Sequence, residues 1–155
     1  MHAARYIYET APLGSLIRYG NGQPRPPERF KRKLRAWESA NGVARLVKRR
    51  GPTSHSPASF TLHLGDFESR GVIVVIAHRS VMVDSDELFE IVERPAPGMV
   101  RVLTRDQGDD QLRFLAANIT EAQRWMDANR YSGMRIDVVP HPDPIVLPDA
   151  HHLAA

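Results

Sequence analysis

Gly71-Val72-Ile73-Val74-Val75-Ile76-Ala77 is the longest run of β-branched residues in the chain, with Glu68-Ser69-Arg70 before it and His78-Arg79-Ser80 after it. An apolar run this short cannot span a bilayer and is short for a helix. Its Val and Ile content favours a strand covered on both faces. The expectation is a central strand against which the others are laid, with Val72, Val74 and Ile76 in the core.

The flanking sequence supplies those other strands. Phe60, Leu62 and Leu64 alternate with Thr61 and His63, the pattern of a half-buried strand, and Gly65 to Gly71 connects it to the central run. Val81-Met82-Val83 is either a second strand or the same one past a bulge. Leu88 to Glu93, Met99 to Thr104 and Gln111 to Leu115 read as strands. They are parted by Pro95-Ala96-Pro97-Gly98 and by Asp106-Gln107-Gly108-Asp109-Asp110. Connections this short suit hairpins better than parallel crossovers, so a meander is expected from about residue 58 to 116. Arg135 to Val139 is the last strand.

Two helices accompany the sheet. The first, about 27–40, opens on Pro27-Glu28, which suit a helix start. It places Phe30, Leu34 and Trp37 at i, i+4 and i+7 and stops at Asn41-Gly42. The second, about 120–129, is announced by two overlapping capping boxes, Asn118 with Glu121 and Thr120 with Gln123. Ala122, Trp125 and Met126 form its apolar side. Both tryptophans fall on apolar stripes, so core packing is favoured over base stacking, and Phe30, Leu34, Trp37 and Trp125 are all expected to be buried. Nearer the N-terminus, the alternation Tyr6-Ile7-Tyr8 suggests an edge strand. Ser15 to Tyr19 suggests a strand, turning at Gly20-Asn21-Gly22 into the Pro-rich Gln23 to Pro27. Val43 to Val47 is another strand, ended by Lys48-Arg49-Arg50. The fold class expected is therefore α+β, with a single mostly antiparallel sheet and two helices. Residues 1–140 would form one domain, with a basic third over 15–50 and an acidic sheet section over 58–140. Residues 141–155, which hold no periodicity, would be a flexible tail.

The chain has 155 residues, enough for one ordinary core, with 42% hydrophobic and 25% charged residues. It has no cysteine, which removes disulfides, thiolate zinc sites, iron–sulfur clusters and cysteine nucleophiles and fits a reducing cytoplasm. Met1 to Tyr8 has no apolar signal region, and no membrane partner is expected.

Charge is the informative feature. From Arg18 to Arg50 there are eleven Lys/Arg against Glu28 and Glu38, a net +9, although the whole chain is only +3. Such asymmetry points to an acidic partner, nucleic acid being the commonest. The expected contacts to phosphate are Arg18, Arg25, Arg29, Lys31, Arg32, Lys33, Arg35, Lys48, Arg49 and Arg50. Arginine outnumbers lysine eight to three over 18–50, which suits bidentate phosphate contacts. No helix-turn-helix, zinc-finger or RNP signature is present, so binding would be largely sequence-independent. The alternative is a protein-interaction module whose basic face docks an acidic protein or a symmetry mate. An enzyme is the third reading.

Nothing in the chain calls for a cofactor or a metal. If Leu64 lies opposite Val72, His63 and His78 are roughly 17 Å apart, too far to share an ion. His151-His152 with His141 and Asp143 reads as polar tail rather than a metal cluster. Asp84-Ser85-Asp86-Glu87 and Asp106 to Asp110 lack calcium-loop spacing and read as turns. There is no Gly-x-Ser-x-Gly elbow and no glycine-rich phosphate loop.

Overall fold

The structure, a computed structural model, describes residues 1–69 and 72–142, and for 66–69 and 72–76 the course of the backbone only. The tail from 143 onward, with His151 and His152, lies outside the described residues. So does the burial of Val72, Val74 and Ile76.

In chain order the elements are β1 (His2–Ala3), α1 (Ala4–Thr10), β2 (Leu16–Gly20), α2 (Lys31–Ala40), β3 (Gly42–Arg50), β4 (Ser59–Ser69), β5 (Val72–Met82), β6 (Leu88–Glu93), β7 (Val100–Asp106), β8 (Asp109–Ala116), α3 (Ile119–Ala128) and β9 (Arg135–Val138). Among the described residues they form an α+β fold with one sheet of nine strands, and every described pairing is antiparallel. No helix among the described residues is long and apolar enough to cross a membrane.

The centre of the sheet is β3, not the Val72–Ile76 run. On one edge β3 pairs with β2 through Gly42 to Arg45 and touches β8 at Lys48↔Gln111. On the other it pairs with β4 through Arg45 to Arg50. Among the described residues β5 pairs with β4 alone. Its β-branched residues belong to a long hairpin whose distal part, from Gly65 to Ser69 against Val72 to Ala77, has no third strand among the described residues. Apolar content had argued for a central place, but strand order depends on pairing between distant residues, which local composition does not report. The strands from 58 to 116 accordingly run as two hairpins, β4–β5 and β7–β8, while β6 crosses away to pair with β2 and β1.

The principal core lies on one side of this sheet. Ile17, Leu46, Phe60, Leu62 and Phe89 are fully buried there, with Phe60 and Phe89 packed edge-to-face at 5.4 Å between ring centres. Helix α1 closes it. Ala4, Ile7 and Ala11 recur at helical spacing and all are buried, which is why Tyr6-Ile7-Tyr8 is helical rather than the edge strand its alternation suggested. A second cluster, Val100, Val102, Ala116 and Ala122, seats α3 on β7 and β8 with Phe114 and Trp125 partly buried against it. Trp125 is therefore half-buried at this core's margin. Asn118 caps α3 as its sequence indicated, its side chain accepting from the Glu121 amide at 2.9 Å.

Helix α2 departs most from expectation. It starts at Lys31, with Phe30 at the cap, and none of its residues is buried. Phe30 is 42% exposed, and Leu34 and Trp37 are only half-covered. Among the described residues, every side-chain hydrogen bond and ion pair made by residues 21–41 has both ends inside that segment. Trp37 Nε1 donates to the Gln23 carbonyl at 2.8 Å, Asn41 Oδ1 accepts from the Asn21 amide at 3.3 Å, and Arg25 lies 3.6 Å from Glu38. The apolar stripe folds the segment onto itself rather than onto the sheet.

Candidate functional site

Two surfaces bring functional side chains together. The first is the self-contained excursion between β2 and β3. It carries Arg25, Arg29, Lys31, Arg32, Lys33 and Arg35 against Glu28 and Glu38. Arg29 and Lys33 lie over the Phe30 ring, at 4.8 and 5.3 Å from its centre. Lys31, Arg32 and Arg35 are exposed and make no ion pair among the described residues.

The remaining expected bases do not join them. Arg18, on β2, is held by Glu90 at 2.6 Å. Lys48 is buried at 8% exposure, and its Nζ donates to Asp106 Oδ2 at 2.5 Å. That bond, with the lysine's charge, holds the Asp106 carboxyl below its ordinary range. Arg49 is half-buried with no bonded partner for its Nε; desolvation lowers its pKa, as does the charge of Arg101. Arg50 is exposed and donates weakly to Gln107 at 3.4 Å. Within Lys48-Arg49-Arg50, Lys48 is buried, Arg49 half-buried and Arg50 exposed.

The second surface is a cleft of about 460 Å³ on the sheet face opposite the principal core. It opens where the β2–β3–β4 side of the sheet parts from β7–β8, two regions of ladder joined by the single pair Lys48↔Gln111. Bulges at Val47 in β3 and at Arg113 in β8 flank that bridge, and a third in β4 follows His63. Bulges bend strands and re-aim side chains; here they turn Val47 and Arg113 into the cleft wall. Leu112 also lines it.

One wall is a cross-strand row. Arg45 pairs with His63 and His63 with His78, so the three side chains share one face. The His63 and His78 rings lie 5.4 Å apart, edge to face. This corrects the separation inferred from sequence. Gly65 had been read as the start of a turn, but the strand continues through it past the bulge to Ser69, which moves the register. Even so, no group of three or more metal-ligating side chains occurs among the described residues.

The opposite wall is aromatic. Phe114, Trp125 and Tyr131 are stacked with nearly parallel rings, 5.2 and 6.1 Å between successive centres. The Arg113 guanidinium lies 4.5 Å from the centre of the Tyr131 ring. Arg45 Nη1 donates to the Gly14 carbonyl at 2.6 Å, and Arg113 Nε donates to Thr104 Oγ1 at 2.9 Å. Among the described residues neither arginine forms an ion pair and no Asp or Glu lines the cleft. Sequence reasoning missed this site. Arg45 was visible only as part of a charge count, and the bulges that gather the other residues leave no mark in composition.

Residues 1–143 match the family described as uncharacterised conserved protein UCP036055, and the chain belongs to that family. No curated protein and no solved structure matches it.

Proposed function

We propose that this member of the family binds nucleic acid through the basic excursion between β2 and β3, largely without regard to sequence. The observation that carries the reading is that Lys31, Arg32 and Arg35 are exposed and unpaired on a helix that contributes no buried residue to the body. A segment that adds nothing to the core and concentrates exposed cations is suited to a partner with regularly spaced negative charge. Phosphates meet that description, and neutralising them releases counterions. Arg25, Arg29 and Lys33 add to the same surface, whereas Arg50 lies at the opposite end of β3, roughly 26 Å along the strand from Gly42. Lys48, being buried and bonded to Asp106, contributes field rather than contact.

A second reading is favoured by a different observation. Phe30 is substantially exposed and Leu34 and Trp37 are half-covered, so a protein partner or another copy of the chain could cover that stripe. A salt titration with labelled duplex and labelled single strand separates the two. Replacing Lys31, Arg32 and Arg35 by Ala should leave the fold intact and weaken binding to all sequences alike. It should also make the slope of log affinity against log salt shallower by roughly 2.7, three phosphate contacts on B-form DNA. If the parent shows no binding tighter than about 100 µM, the weak end of non-specific association, the nucleic-acid reading fails. A change of oligomeric state in the triple variant, seen by sedimentation, would then establish the second.

A further inference from the structure

We propose that the cleft between β3–β4–β5 and β8–α3 is a binding site for a nucleoside phosphate, a planar heteroaromatic group carrying an anion. Two independent features converge on that chemistry. The first is charge. Arg45 and Arg113 sit in the wall half-covered, each anchored by one neutral acceptor and neither in an ion pair among the described residues, the Asp106 carboxyl that feels the Arg113 charge being bonded to Lys48 instead. A guanidinium drawn partly out of water calls for an anionic partner, and its remaining N–H groups form a planar fork suited to phosphate oxygens. The second is shape. The stack of Phe114, Trp125 and Tyr131 ends in a residue 41% exposed to solvent, with the planar Arg113 guanidinium lying over its ring, so that ring and guanidinium together form a shelf against which a base can lie flat. The cation and the shelf adjoin, since Arg113 lies against Tyr131. A simple anion would leave the shelf unused, and an uncharged aromatic would leave the arginines unmatched. The volume, about 460 Å³, is within the range of small-ligand pockets.

The ligand could be a free mononucleotide or one nucleotide of a single strand, and both present the same chemistry. The site shares no residue with the basic excursion, so the two readings stand or fall separately.

The test is calorimetric titration of the full chain with adenosine monophosphate, adenosine, inorganic phosphate and a ten-nucleotide single strand. The variants are Arg113→Gln, Arg113→Lys, Tyr131→Ala and the triple Lys31/Arg32/Arg35→Ala, with circular dichroism as the folding control. Adenosine monophosphate should bind at least tenfold tighter than adenosine or phosphate. Arg113→Gln should lose tenfold or more for the nucleotide and little for adenosine, with Arg113→Lys recovering only part. Tyr131→Ala, at an exposed position, should weaken nucleotide and adenosine alike and leave phosphate unchanged. The triple variant should bind the mononucleotide as the parent does, whether or not it still binds duplex. A single strand that binds tighter than the mononucleotide to the triple variant, and is displaced by it, identifies a strand as the source; equal or weaker binding identifies the free nucleotide. No heat with adenosine monophosphate at millimolar concentration, or binding that is unchanged in both Arg113→Gln and Tyr131→Ala, overturns the proposal.

Discussion

Residues 21–41 should be removable without cost to the fold. In the sheet Tyr19 pairs with Gly42, so β2 and β3 are already in register for a tight hairpin, and the 21 intervening residues could be replaced by a four-residue turn built on Asn-Gly. The excised hydrogen bonds and ion pairs all close within the segment, and α2 has no buried residue. Nothing that holds the body together is therefore cut. Shortening the connection from 21 residues to four lowers the loop-closure cost by about 1.5 kcal/mol, from (3/2)RT ln n. For a chain of this size 1 kcal/mol moves Tm by about 2–4 °C. The melting temperature should therefore rise by about 3–6 °C. Differential scanning calorimetry of parent and excised chain, with duplex binding measured on both, reads the two consequences together: higher Tm, and loss of nucleic-acid affinity. A Tm that falls by more than about 3 °C would refute the reasoning, because it would mean that α2 packs on the body after all.

Three further outcomes follow from the packing and the charge pairs. Phe60→Leu and Phe89→Leu, combined in a double-mutant cycle by urea denaturation, should show a coupling of about 0.5–1.5 kcal/mol from their edge-to-face contact; additive effects would deny that β4 and β6 meet in one core. Asn118→Ala should cost about 1 kcal/mol by losing the α3 cap, measured in the same way. The Asp106 carboxyl is held down by its bond from Lys48 and the Asp110 carboxyl by its bond from Arg135. The stability they give is therefore present above the ordinary carboxylate value of 3.8 and is lost as pH falls below it through their lowered native values. Melting followed across that acid range should be less pH-dependent in Asp106→Asn than in the parent, and an identical acid limb would show that the pair does not form.

Local signals carried the elements well. Local patterning placed the start of β4 and the whole of β6 to β8 within a few residues, and the Asn118–Glu121 spacing found the start of α3. Fold class followed from the order of those elements. Strand partnership did not, because it is decided between residues far apart. Nothing near Val43 to Arg50, with its interleaved arginines, marks it as the strand on which β2, β4 and β8 converge. The helix under Leu34 and Trp37 was legible, with Phe30 at its cap, but periodicity reports that a face is apolar, not that the body offers a surface to cover it. The basic helix was legible as charge. The cleft was not, since its two arginines and three aromatics come from β3, β8, α3 and the segment after α3, gathered by bulges that shift register by one residue.

The single ladder pair between β3 and β8 has a consequence for the order in which the protein assembles. β7, β8, α3 and β9 pair and pack within a contiguous stretch, Val100 to Val138, and the cluster under α3 is drawn wholly from it. The other region requires β6 to find β2 some 70 residues away, and β1 farther still. Closing long loops is entropically slower than closing short ones. We therefore expect the C-terminal stretch to protect its amides first in pulse-labelled hydrogen exchange during refolding, with the amides of β2 and β6 following; simultaneous protection would argue for one concerted step. On this scheme the cleft is the last feature to exist, because its two walls belong to parts that acquire structure at different times.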